Sequence, residues 1–598
     1  MLYLYYYEAK CAKGLRWRAL QSRYNESVIG FRILAALYFI PLAAPLFGAP
    51  PQIFPLKDVR AGQHGVGRTV FTGGKVEEFQ VEVLGVLENL GPRQSLILAR
   101  LSGGPLANTG VLQGMSGSPV YIDGKLLGAV AMSFPQSKEP IAGIRPIEDM
   151  LRVEPRIAQP IASASPRLRP VVAGEARFED IATPVSFQGF TPATLDHFAP
   201  QLRAMGFDPR QGVSGGGSMP DKLGDPQQLE PGSMISVQLI SGDMTVGADG
   251  TITAIDGDRI YAFGHRFLDE GSTDLPFARA DVVALLPNLT SSFKISTARE
   301  WMGTITADRD VAVAGLLGRQ ASLIPVEIKV GQNVYRMRMV RDRVMTPLLT
   351  QMAVFSAIDA TERSVGGESY SIRGRLDFEG GPVRIEDVYS GDVGVAVLAS
   401  GGVGSTVAYA LQSGFDALKL KGVTLEVAPI ERRRQQQIVD FMAPRVVHPG
   451  EDIELTVILG SENGEENARK VSYRVPVGAA AGTLNFTIAD ATSTNVIEFQ
   501  SAVGTPQRSV QQVLNLLNGL RSNTKAYVRV WRAEPSYTVE GRDIPAPPPS
   551  LAMVLTRASA GSTALVNTRG AKAAEIEIAG APGFVVTGTK TIQVEVKE

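Results

Sequence analysis

Cysteine is nearly absent from this 598-residue chain, which has one, Cys11. A single thiol permits no internal disulfide, no Cys-based zinc site and no thiol relay. Histidine is scarce as well: only His64, His197, His265 and His448 occur, so any chemistry that needs imidazole has four candidates. Neither sign of charge dominates, with 59 Lys plus Arg against 60 Asp plus Glu. No global field therefore favours nucleic acid or another polyanion. A phosphate loop ending in Lys-Ser or Lys-Thr, an HExxH helix and a CxxC pair are all missing, which leaves nucleotide, zinc-protease and zinc-finger chemistry without ligands. The string Gly401-Gly402-Val403-Gly404-Ser405-Thr406 lacks the required lysine and reads as a turn into a helix. No cofactor and no metal are expected.

What is abundant is turn-forming residues and β-formers. Sixty-two glycines and 38 prolines separate short runs rich in Val, Thr and Ile, the composition of a mainly β protein. At this length the chain divides into about three domains. Residues 1–49 combine a basic stretch (Lys10, Lys13, Arg16, Arg18, Arg23, Arg32) with an apolar run from Ile33 to Phe47 and then Gly48-Ala49, which reads as a signal peptide or N-terminal anchor. The expected destination is export to the periplasm or beyond, or membrane attachment if the segment stays. Residues 50–320 alternate strands and turns, as a first lobe 55–153, a linker and glycine-rich insertion 154–232, and a second lobe 233–320. Residues 321–430 read as a mixed α/β extension with helices at 346–360 and 406–420. Residues 431–545 read as a β-sandwich and 546–598 as a closing β segment, with a proline-rich spacer near 545–549.

Chemistry concentrates in the first lobe. Gly114-Met115-Ser116-Gly117-Ser118-Pro119 leads into two apolar runs joined by Asp123-Gly124. The dipeptide is a hairpin signal, so Ser116 sits at the mouth of a β structure. Glycines on either side of a serine let its Oγ project while neighbouring N–H groups converge on a developing oxyanion. The whole segment 114–130 resembles the active-site segment of the SpoIVB (stage IV sporulation protein B) serine peptidase family, and more distantly the serine loop of trypsin- and HtrA-like proteases. The block 259–267, Arg-Ile-Tyr-Ala-Phe-Gly-His-Arg-Phe, resembles the segment that carries that family's general-base histidine, and the likeness runs on through 302–309. It covers residues 55 to about 320. It implies a two-lobe β-barrel protease domain with the order permuted, because Ser116 precedes His265 by about 150 residues.

The resemblance assigns His265 as base. His64, between glycines, is its serious competitor, whereas His197 falls in a short amphipathic helix pattern and His448 in a polar turn. The stretch 99–110 before Ser116 has no acid, so the family's aspartate has no counterpart there. Asp308 is the chosen third member, with Asp310 and Asp269 as alternatives and a Ser–His dyad as another. The Gly114 and Ser116 amides are the expected oxyanion donors. The chain is thus expected to be an exported serine endopeptidase, a hydrolase that cleaves a protein or peptide in a limited, regulatory way, its substrate another exported or membrane-bound protein or the chain itself. The competing reading, favoured by the missing upstream acid, is a noncatalytic envelope scaffold that keeps the protease fold for binding.

Overall fold

The computed structural model describes residues 51–598, except 92–93, 135–136, 156–178, 182, 213–218, 362–367, 431–432, 505–508, 540–541, 545–546, 560–564 and 571. The expected signal or anchor segment, with Cys11, most of the 154–170 linker and the Gly/Ser run at 213–218 lie outside the described residues.

The protein is mainly β, and its first half is built from two closed barrels. The first consists of β1 (His64–Thr72), β2 (Lys75–Gly91), β3 (Gln94–Ser102), β4 (Pro119–Ile122), β5 (Lys125–Ser133) and β6 (Ile141–Pro146). They pair in the cyclic order β1-β2-β3-β6-β5-β4, and β4 returns to β1. β1 sends Phe71 into a core filled by Phe79, Val81, Ile97, Leu101, Leu112, Met115 and Val130, while Val70 on its other face packs against Met234, Ala280 and Val282 of the second barrel. Asp123 and Gly124, both with positive φ, turn β4 into β5 as the sequence predicts.

The second barrel consists of β7 (Met234–Gly242), β8 (Thr245–Asp256), β9 (Arg259–Ala262), β10 (Gly271–Leu286), β11 (Phe293–Arg309) and β12 (Ala312–Leu317). Its cyclic order is β7-β8-β9-β12-β11-β10, the same as the first barrel when each is counted from its own first strand. The serine-bearing loop and the histidine-bearing loop both connect the third strand to the fourth.

Beyond the barrels the structure departs from several expectations. The 154–232 stretch, read as a linker and glycine-rich insertion, contributes strands Thr183–Gln188 and Phe207–Gln211, which pair in parallel across the helix Pro192–Ala204 and extend the second barrel's sheet. Strands from 323 to 430 extend the same sheet at its other end. The helix expected at 346–360 is Met345–Thr361, but the one expected at 406–420 starts earlier, as Val395–Gln412, so Gly401–Gly404 lie inside it and not in a turn. Packing against Met345–Thr361 outweighs the low helix propensity of glycine there, since Leu349, Ala353, Val403 and Val407 share one core. Residues 435–596 form a sandwich of a four-stranded and a five-stranded sheet over Phe441, Leu455, Phe486, Ile488 and Val528. The closing β segment 546–598 supplies Lys572–Ala579 and Thr589–Val596 to the five-stranded sheet, where two other strands lie between them. Pro549, expected in a spacer, begins the helix Pro549–Ser559.

Candidate active site

The loop that carries Ser116 belongs to the first barrel by sequence, yet the second barrel holds it as well. The carbonyls of Gln113, Gly114, Ser116 and Gly117 accept hydrogen bonds from Lys294 N–H (3.2 Å), Thr251 Oγ1 (2.9 Å), Thr251 N–H (2.8 Å) and Thr253 Oγ1 (2.7 Å) respectively. Threonines 251 and 253 lie on β8 and lysine 294 at the start of β11. The remaining polar groups divide in two. The amides of Met115, Gly117 and Ser118 donate to Leu112 O, Val130 O and Met115 O, while those of Gly114 and Ser116 meet no backbone acceptor among the described residues. Those two are the expected oxyanion donors. Ser116 is fully buried and its Oγ makes no hydrogen bond among the described residues.

Glycine is required at 117 for two reasons. Its φ is +93°, and a Cβ there would lie 2.0 Å from Thr251 O and 2.5 Å from Phe263 N. Phe263 is two residues before His265, so the residue after the serine touches the strand end that carries the histidine. Gly264 completes the seam: a Cβ on it would approach Ala131 Cβ at 3.0 Å and Val130 O at 3.4 Å, the same Val130 that pairs with Gly117 and Ser118.

The histidine is aimed by backbone strain. Phe263 has φ +70° and Gly264 +72°, and Gly264 N–H donates to Ala262 O at 2.9 Å, which makes a γ-turn of the rarer, strained hand. His265 emerges from it 2% exposed, with Nδ1 2.7 Å from Arg266 O. A carbonyl only accepts, so in the neutral ring the proton sits on Nδ1 and the lone pair on Nε2, the tautomer a general base requires.

A backbone carbonyl therefore occupies the place on Nδ1 expected of an aspartate. Asp308 instead accepts from the amides of Phe267 (2.8 Å), Leu268 and Asp269 (2.8 Å), and so pins the loop that supplies that carbonyl. Burial raises its carboxyl to about 6, against the lowering effect of the three donors. The alternatives are engaged elsewhere, as Arg266 Nη1 reaches Asp269 (3.4 Å) and Asp310 (3.3 Å). At the far end of the loop Glu270 hydrogen-bonds Asp342, and burial together with that neighbour pushes its carboxyl well above the ordinary range.

The other histidines stand apart. His64 is exposed at the start of β1, His197 stacks on Phe355 (centroids 5.6 Å apart) and His448 is 3.5 Å from Glu451 on the sandwich. Sequence reasoning missed three contributors. The Thr251/Thr253 pair holds the loop. Arg145, 2% exposed, points Nε at Gly264 O (3.4 Å) from the first barrel. Lys294, 1% exposed, donates from Nζ to Thr69 Oγ1 at 2.7 Å, and its stem passes 3.3 Å from where a Gly114 Cβ would be. Burial lowers Lys294 to about 7 and raises its neighbour Asp249 to about 6. No cluster of His, Cys, Asp and Glu suited to a metal occurs among the described residues.

Two identical barrel topologies, each presenting its third-to-fourth-strand loop to a common seam, make a protease-like frame, and a comparison of sequences fits it. Residues 42–151 match the SpoIVB peptidase S55 family. The matched stretch contains Ser116 and the whole first barrel, so that part of the chain is similar to a peptidase family. No curated protein and no solved structure matches the chain significantly. The SpoIVB match ends before the second barrel, so the case for His265 rests on geometry: this imidazole is the one brought to the seam beside the SpoIVB-like serine loop.

Proposed function

We propose that the protein is a serine endopeptidase in which Ser116 is the nucleophile and His265 its base. In the acylation step Ser116 Oγ bonds to the substrate carbonyl carbon as its proton passes to His265 Nε2. The developing oxyanion takes the Gly114 and Ser116 N–H groups, and the leaving amine receives the proton from Nε2 as the C–N bond breaks. Arg266 O keeps the imidazole oriented throughout. Asp308 acts as a positioning residue through the 267–269 amides. A carbonyl stabilises the imidazolium less than a carboxylate does, which suits slow, limited cleavage of one protein partner better than digestion. The observation that carries the reading is the contact of Gly117 with Phe263 N across the barrel seam. The Ser116–His265 hydrogen bond is unmade in this resting arrangement, and such bonds commonly tighten only with substrate.

The basic and apolar pattern of residues 1–49 supports export, with a protein of the same compartment or its membrane as substrate. The test is labelling of the purified protein with a fluorophosphonate, followed by mass-spectrometric location of the adduct. The expected result is modification at Ser116, lost in Ser116→Ala and His265→Ala. A folded protein that takes no label, both as wild type and with Ile181→Pro, favours the noncatalytic scaffold.

A further inference from the structure

A wholly buried Ser116 accepts no peptide until something moves, and the edge of β5 points to what does. β5 first serves the nucleophile loop: Gly117 N–H donates to Val130 O (2.8 Å) and Val130 N–H to Ser118 O (3.0 Å). Immediately beyond, β5 is paired with a different piece of chain. Glu179–Asp180 lies antiparallel to it, with Asp180 opposite Met132 and Glu179 opposite Ser133, and Ile181 N–H donates to Ala131 O at 3.0 Å. Read from 179 to 181, this segment advances along β5 from Ser133 toward Val130, and so toward the serine loop. Ile181 is 3% exposed and belongs to the same apolar core as Met115 and Val130, the residues that flank the loop. An extended peptide added to this edge would make the same main-chain bonds and place a side chain where Ile181 now sits.

We propose that residues 179–181 are a built-in competitor for the substrate strand. They hold the β5 edge beside Ser116 and fill its aliphatic pocket with Ile181. The substrate is then an extended segment with a branched aliphatic residue at that position, and it binds only when the internal strand leaves. The consequence for cleavage rests on Ser116 as nucleophile, whereas occupancy of the edge does not. If the edge-free state is a minority, the apparent affinity for a peptide falls by that fraction.

The experiment uses a fluorescent peptide with the sequence of residues 177–183, Arg-Phe-Glu-Asp-Ile-Ala-Thr, titrated by anisotropy into the full chain carrying Ser116→Ala. The same titration is made with Ile181→Pro added, which removes both the N–H bonded to Ala131 O and the side chain. Ile181→Ala, which keeps the N–H, guards against misfolding, and thermal unfolding checks all three chains. The peptide is expected to bind the Pro variant about tenfold or more tightly than its parent, with the Ala variant between them, and a peptide with Asp in place of Ile is expected not to bind. Equal affinity for all three folded chains, or no binding to any, overturns the proposal. Fluorophosphonate labelling of Ile181→Pro with Ser116 intact then separates the two readings. Tighter peptide capture with an inert Ser116 leaves the competitor strand standing and removes the nucleophile.

Discussion

The two barrels share one strand order and use the same loop, yet they shape it differently. In the first barrel the third-to-fourth-strand loop is long, glycine-relieved and held both by its own β5 and by Thr251, Thr253 and Lys294 of the other barrel. In the second the equivalent loop is short, carries two successive positive-φ residues, and is held from within by Asp308 of its own β11. A serine that must present Oγ and two amides at once needs a backbone shape that no single side chain can impose. An imidazole needs only one fixed tautomer and direction, which a strained turn and one carbonyl supply. Aligning the pair is therefore a property of the seam and not of either barrel.

The sharpest way to break that seam is Gly117→Ala. With a Cβ 2.0 Å from Thr251 O at a φ of +93°, the variant is expected to lose about 3 kcal/mol or more in denaturant unfolding, and Ser116 labelling with it. Asp308→Asn attacks only the second barrel's loop. It is expected to slow Ser116 labelling about tenfold and to speed hydrogen exchange at the Leu268 and Asp269 amides, while first-barrel amides stay protected. The same variant tests the electrostatics. A carboxyl raised from 3.8 to about 6 binds its proton more tightly in the folded state. Its contribution to stability therefore falls as pH rises from about 4 to about 6 and is flat above, and Asn should remove that component of the slope.

Lys294→Met separates charge from packing under the serine loop. Because the folded ammonium titrates near 7 and not 10.5, the wild type should gain stability between those pH values as the unfolded chain alone retains the proton, and the Met variant should lack that gain. Thr251→Val removes one bond to Gly114 O and should cost about 1 kcal/mol. A larger effect on labelling than on stability would place the whole loop's alignment on that contact. The smallest effect is expected at His64→Ala, His197→Ala and His448→Ala, whose labelling should match wild type.

Much of this site was legible in the residues, for identifiable reasons. The Gly-Met-Ser-Gly-Ser-Pro string and Asp123-Gly124 are local signals whose geometry follows from φ preferences a few residues apart. The early chain order of Ser116 and the paucity of histidine limited the choice of partner. The trypsin-like spacing expects Asp308 at the start of a strand; it lies near the end of β11 beside the histidine loop, and its bonds go to three amides. Which of several nearby acceptors an imidazole takes is set by ångström-scale loop geometry that spacing does not encode. Arg145, Thr251 and Lys294 were invisible because each acts on a segment more than 100 residues away, and a burial pattern says that a residue is inside without saying what it faces. The helix at Val395–Gln412 was misplaced for a related reason, since its glycines are stabilised by a helix far off in the chain.

The sequence by itself determined the mainly β character, the turn chemistry around Ser116, the exclusion of disulfide, thiol and Cys-metal chemistry, and the short list of possible bases. These depend on backbone propensity and on which atoms exist at all. Only the tertiary structure decided which histidine lies at the barrel seam, that a carbonyl and not a carboxylate lies on Nδ1, and that residues 179–181 hold the neighbouring strand edge. Those are contacts between distant segments, fixed when barrel closure excludes water and leaves each buried polar group to find the partner that geometry allows.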